Sequence, residues 1–196
     1  MKKFISILAL AISGAAFAGG GVTTEFERER ETQSPNTMSN TVKVAPYYKF
    51  GNGVKADIQF GASRDDGSVA GNNNSIDASI EARVQKMFEV LPGTKLGARV
   101  SIGEKFNGTN AAGKTVDFAY YTVEPKASYA LTKDLSMNLA WRYRNAFSSA
   151  DNYQTRTWKI GPDYALTKLD EIGVRYLIKR GDTNSNGVEL AYSRAF

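Results

Sequence analysis

Cationic side chains recur along this chain at even spacings, with apolar residues in the alternate positions. Lys43, Lys49, Lys55, Arg83, Arg99, Lys105, Lys126, Arg142, Arg144, Lys159, Arg175 and Lys179 all fall on the polar side of alternating segments. Glu25, Glu27, Asp57, Asp77, Glu81, Glu124, Asp163, Glu171 and Glu189 fall on that same side. A face of this kind has two uses. Its cations could line an aqueous passage and favour anions. Alternatively they neutralise the carboxylates across an enclosed space, because burying so many charges dry is costly unless they pair. The chain has no histidine and no cysteine, which removes disulfides and many acid–base, nucleophilic and metal-binding schemes. Glu25 with Glu27, or Asp77 with Glu81, could act as paired carboxylates, but any charged lumen produces the same spacing. Asp65 and Asp66 with Asn72, Asn73 and Asn74 carry oxygens of the kind calcium accepts. A solvated loop explains them more simply, so no catalytic residue, metal site or cofactor is assigned.

The elements that hold these charges have a period of two, which is the signature of strands, since successive side chains point to opposite faces. In 54–63, Val54, Ala56, Ile58, Phe60 and Ala62 oppose Lys55, Asp57, Gln59, Gly61 and Ser63. In 76–85, Ile76, Ala78, Ile80, Ala82 and Val84 oppose Asp77, Ser79, Glu81, Arg83 and Gln85. In 135–144, Leu135, Met137, Leu139, Trp141 and Tyr143 oppose Ser136, Asn138, Ala140, Arg142 and Arg144. Similar patterns predict strands over about 21–30, 42–50, 96–105, 116–131, 154–166, 171–180 and 187–196. Parity slips near Tyr120-Tyr121, where a β-bulge is expected. Pro46, Pro125 and Pro162 suggest further local bulges or bends, because proline cannot donate to the ladder. The count is ten, an even number, as bacterial single-chain barrels require.

Connections alternate in length. Gly51-Asn52-Gly53, Leu91-Pro92-Gly93-Thr94, Thr132-Lys133-Asp134 and Thr167-Lys168-Leu169-Asp170 are tight turns. The stretches 31–40, 64–75, 106–115, 146–153 and 181–186 are longer and polar. Aromatic residues gather towards both strand ends: Tyr48, Phe50, Phe88, Tyr129, Tyr164 and Phe196 near the turns, and Phe60, Trp141, Tyr143 and Tyr176 near the loops. Such girdles suit the two interfaces of a bilayer. The expected fold is therefore an all-β, transmembrane, antiparallel up-and-down barrel with both termini in the periplasm. A pentapeptide repeats, Tyr129 to Lys133 and Tyr164 to Lys168, as hairpin duplication would leave it.

The first residues indicate export. Lys2 and Lys3 precede an apolar run from Ile5 to Ile12, and Ala16-Phe17-Ala18 fits a cleavage site. The run is too short to span a membrane as a helix. The expected organisation is a signal peptide over 1–18 and a barrel over 19–196. Part of the net charge of +5 thus belongs to the targeting segment, and the remainder is too small to point to nucleic acid. At the other end the strand Val188 to Phe196 alternates and stops on an aromatic. Tyr192 and Phe196 resemble the terminal signal by which outer-membrane proteins are recognised for barrel assembly.

Two stretches resemble the oligogalacturonate-specific porins, the KdgM-like channels. One is TVKVAPYYKFGNGVKADIQFGASRDDGS over residues 41–68. The other is WRYRNAF over 141–147 followed by YQTRTWKIGPDYAL over 153–166. That family consists of monomeric, narrow channels for acidic oligosaccharides, built from twelve strands. The resemblance implies that Lys43, Lys49, Lys55, Arg142, Arg144 and Lys159 contact anions in a pore. Parity adds Arg83, Arg99 and Arg175 as pore-lining residues. Outer-membrane barrel enzymes that depend on histidine are excluded. The expected function is a channel for small anionic solutes such as acidic oligosaccharides. Its rival is a closed structural or adhesive barrel acting through its loops, since a narrow barrel is filled by its own side chains. The expected partners are outer-membrane lipid and lipopolysaccharide, the barrel-assembly machinery and small anions, with the chain a monomer in the outer membrane.

Overall fold

A computed structural model describes residues 19–32, 37–66, 76–109, 115–151, 153–182 and 184–196. The expected signal peptide and the calcium candidates Asn72, Asn73 and Asn74 lie outside the described residues. Ten strands follow one another: β1 (Gly20–Glu31), β2 (Met38–Lys49), β3 (Val54–Asp66), β4 (Ile76–Leu91), β5 (Thr94–Thr109), β6 (Thr115–Ala130), β7 (Leu135–Ala146), β8 (Gln154–Ala165), β9 (Asp170–Gly181) and β10 (Ser185–Ala195). A short 3-10 turn, Ser149–Asp151, lies between β7 and β8. Each strand pairs antiparallel with its sequence neighbours, and β1 pairs with β10, so the sheet closes into a barrel. Closure leaves no free edge, which is how a sheet satisfies its backbone in lipid. The number of strands is ten, not the twelve that the porin resemblance implied.

The partition of side chains is inverted relative to a soluble protein. Glu25, Glu27, Asp57, Glu81, Arg83, Glu124, Arg142, Lys159 and Glu189 are buried inside. Val42, Ile58, Ile80, Val84, Val100, Leu139, Ile160, Val174 and Leu190 are exposed outside. Water on the outside would make that costly, whereas lipid makes it favourable.

The turns are built by the residues that their geometry requires. Gly53 and Gly93 adopt positive φ of 80° and 76°, where a side chain would be strained. The repeated pentapeptide makes the same turn twice. Thr132 Oγ1 accepts from the backbone N–H of Asp134 and Leu135, and Thr167 Oγ1 accepts from Leu169 and Asp170.

Two expectations are corrected. Pairing runs through Tyr120↔Gly103 and Tyr121↔Ile102 without a shift, so no bulge lies there; the irregularity falls instead between Lys105 and Gly108 of β5. The parity slip reflects aromatics turned inward, described below. Nor do the prolines shift the register. Pairs are missing at Pro46 towards β3, at Pro125 towards β7 and at Pro162 towards β9, while the register on either side is kept. The opposite ladders hold, with Pro46↔Val22, Pro125↔Ala98 and Pro162↔Met137. Each proline therefore leaves one gap on its donor-less side and no bulge.

β4, β5 and β6 have 16 residues each, beyond the nine to eleven or so that a tilted strand needs to cross a bilayer. Their sequence-based limits were shorter at the turn end of β4 because Lys86 interrupts the outward apolar series. Its ammonium lies 5.0 Å from the centroid of the Phe88 ring, a basic side chain reaching over an aromatic of the girdle. Above the aromatic girdle at the loop end, outward positions turn basic: Arg28, Arg30, Arg64, Arg156 and Arg180 are all exposed.

Candidate functional site

Alternation alone brings the polar side chains of ten strands to one axis, and their lengths fill it. At the waist, Lys159 bonds Glu189 and lies 3.3 Å from Glu27, which Lys43 also holds. Arg175 links Glu189, at 2.6 Å, to Asp163, at 2.7 Å. On the neighbouring strands Arg142 Nε donates to Glu124 at 2.6 Å, and Arg99 lies 3.4 Å from the same carboxylate. Arg83 pairs with Asp57, and Arg144 with Glu81 at 2.7 Å. The waist is tightly filled: Glu124 and Glu189 each keep 1% of their surface. The oxygens of Glu25, Glu27 and Glu189 converge within 4.8 Å, a spacing that would suit a cation. Lys43 and Lys159 already supply the positive charge there.

Towards the loop end aromatic rings enter the lumen beside two further ion pairs, Lys105 with Asp77 at 3.1 Å and Lys179 with Glu29 at 3.2 Å. Phe118, Tyr120, Ala146 and Tyr153 form a buried cluster, with Phe118 and Tyr153 rings 4.6 Å apart. Tyr120 donates to Glu81 at 3.0 Å, and the Arg144 guanidinium carbon lies 4.3 Å from its ring centroid. Tyr120 faces Gly103 across the ladder, where any Cβ would come within 2.7 Å of the ring. Glycine thus makes room for an aromatic cap. Sequence reasoning missed this cap, although its signal was present: Phe118 and Tyr120 carry inward parity in β6.

Towards the turn end the lumen widens into a vestibule of about 720 Å³. Its charges are sorted by wall. Lys49, Lys55, Lys95, Arg99 and Lys126 come from β2 to β6, with Glu89 and Glu124. Asp163, Glu171, Glu189 and Glu25 come from β8 to β10 and β1, with Lys159 and Arg175. Among the described residues Lys49 and Lys55 form no ion pair; the Lys55 ammonium stands 3.9 Å from the Tyr47 ring centroid. Lys126 rests on Gln85 Oε1 at 3.0 Å, as does Arg99 through Nη2, while Arg99 Nε is buried without a hydrogen-bond partner among the described residues.

The nine sequence-predicted lumen residues therefore divide. Lys43, Arg83, Arg142, Arg144, Lys159 and Arg175 are held in ion pairs. Of these Lys159 and Arg175 also line the vestibule, together with Arg99, which lies 3.4 Å from Glu124, and with Lys49 and Lys55, which form no ion pair among the described residues. Tyr192 and Phe196 face outward at the turn end; the Tyr192 hydroxyl donates to Asp170 at 2.6 Å, and the Phe196 N–H donates to Gly20 O at 2.9 Å. The chemistry this lumen offers is electrostatic.

The sequence profile described as "Outer membrane protein beta-barrel domain" matches residues 5–165. No curated protein sequence matches the chain. Among solved structures the chain is similar to the β-domain of the Bordetella autotransporter BrkA (TM-score 0.55, 14% identity, covering 91% of this chain and 99% of that one). It is also similar to the NanC porin (TM-score 0.51, 9% identity, covering 88% of this chain and 100% of that one). The KdgM porin in complex with disordered oligogalacturonate gives a TM-score of 0.49 at 12% identity, covering 89% of this chain and 99% of that one. Identities this low show a shared barrel fold.

Proposed function

The chain belongs to the outer-membrane protein β-barrel domain family, and from that premise we propose that it is a narrow channel for small anionic solutes in the Gram-negative outer membrane. In this reading residues 1–18 direct export and are removed after Ala18, the assembly machinery reads the strand ending on Phe196, and the mature barrel works as a monomer. Short turns face the periplasm and long loops the exterior. The vestibule then opens to the periplasm and the aromatic cap closes the outer mouth.

The observation that carries the reading is the wall formed by Lys49, Lys55, Arg99 and Lys126, where Lys49 and Lys55 are held in no ion pair among the described residues. Unpaired cations at a wide, wet end attract anions and raise their local concentration. Acidic sugars are one class of solute with the required charge, and the resemblance noted in the sequence favours them. The test is single-channel recording of the refolded mature chain in planar bilayers. Small conductance with anion preference is expected.

A second reading is favoured by a specific observation. The waist side chains interlock and Glu124, Glu189 and Tyr120 each keep only 1% of their surface, so the barrel could be a closed one that acts through its loops. Bilayers that stay silent with correctly folded protein, at every voltage tried, would select this reading and remove the channel.

A further inference from the structure

Like charges directly opposite one another across an antiparallel ladder are destabilising. On the outer wall, Arg156 of β8 faces Arg180 of β9 in direct register. Both are exposed, and among the described residues their hydrogen-bond partners are uncharged. Arg156 Nη2 donates to Gln154 Oε1 at 3.3 Å. Arg180 Nη1 donates to the Lys179 carbonyl at 2.6 Å, and to the Ser185 carbonyl and Asn186 Oδ1 at 3.1 Å each. The nearby Asp182 carboxylate accepts the Gln154 backbone N–H.

We propose that Arg156 and Arg180 bind the phosphate groups of lipopolysaccharide in the outer leaflet. The charge requirement follows from the arginine pair, since a phosphate set between two guanidiniums turns repulsion into bidentate, charge-assisted hydrogen bonds. The lipid requirement follows from position. One outward step towards the turn end from the arginine pair lie Trp158 and Ile178, themselves paired, followed by Ile160 and Tyr176. Trp158 and Tyr176 are exposed, and Trp141 packs against Trp158 with centroids 6.4 Å apart. A ligand seated on the arginines therefore meets an apolar wall directly below, which suits an amphiphile whose phosphorylated sugar heads its acyl chains. The inference rests on the barrel crossing the outer membrane with its loops outside, and it is independent of whether the lumen conducts.

The chain's two tryptophans, Trp141 and Trp158, both lie beside the site and report on it. The experiment titrates the refolded mature barrel in detergent with bisphosphorylated lipid A, following tryptophan fluorescence. The double variant Arg156→Gln/Arg180→Gln should bind at least about tenfold more weakly. Lipid A stripped of its phosphates should bind the unaltered barrel no better than intact lipid A binds the variant. Inorganic phosphate at the same concentration should fail to displace the lipid. Heat-dependent gel migration verifies folding, and Arg156→Gln alone serves if the double variant does not fold. Unchanged affinity in the variant, equal binding of dephosphorylated lipid A, or displacement by inorganic phosphate would each overturn the proposal, the last by showing a site for free anions.

Discussion

Glu124 is the carboxylate on which the most cations depend: Arg142, Arg99 and Lys126 all lie within 4 Å of it. Its burial makes sense only because they compensate it, and that of Arg142 only because Glu124 compensates it. Glu124→Ala would leave the buried Arg142, and the half-buried Arg99 and Lys126, short of a counter-charge. Breaking a buried pair on one side costs about 3–5 kcal/mol, so the variant should unfold at distinctly lower urea concentration, measured by loss of the heat-resistant fast-migrating band. At the vestibule the expectation is different, because Lys49 and Lys55 hold no carboxylate. Lys49→Glu/Lys55→Glu should leave stability nearly unchanged while reducing or reversing the anion preference in reversal-potential measurements. An unaltered preference would show that these lysines do not face the ion path. The charged residues were legible in the sequence as a face, since parity alone assigns them. Which of them pair was not legible, because partners such as Lys159 and Glu27 are 132 positions apart and meet only when the ring closes.

The elements were legible for a physical reason: lipid on one side and an ionic interior on the other impose strict alternation over whole strands. Where that contrast weakened, the reading weakened. Phe118 and Tyr120 turn apolar rings inward, and their parity resembled a bulge. Lys86 turns a charge outward, and β4 was cut short. Gly103 shows that the inward aromatics are specified, since it vacates the space Tyr120 occupies. Gly103→Val should displace that ring and loosen the outer mouth, seen as increased fluorescence quenching of the buried tyrosines by a soluble quencher. At the turns, Thr167→Val removes a hydroxyl that accepts two backbone N–H groups. A loss of about 1 kcal/mol is expected, with Thr132→Val behaving alike because the repeat builds the same turn there.

For the molecule as a whole, a closed ring of ten strands lies near the size at which side chains fill the bore. Stability and conduction are then in tension, since the ion pairs that lock the waist also obstruct it. The aromatic cap is the part that can be thinned without stripping counter-charges from the waist. Phe118→Ala/Tyr153→Ala should therefore raise single-channel conductance while the protein still shows heat-dependent migration. Conductance equal to that of the unaltered protein would place the limiting constriction at the ionic waist.

The sorting of vestibule charges by wall has one more consequence. A bore with cations along one flank and carboxylates along the other carries an electric field crosswise to its axis, not along it. A molecule bearing both signs, such as an amino acid, would be turned broadside as it entered, its acid end towards β2–β6 and its amine towards β8–β10.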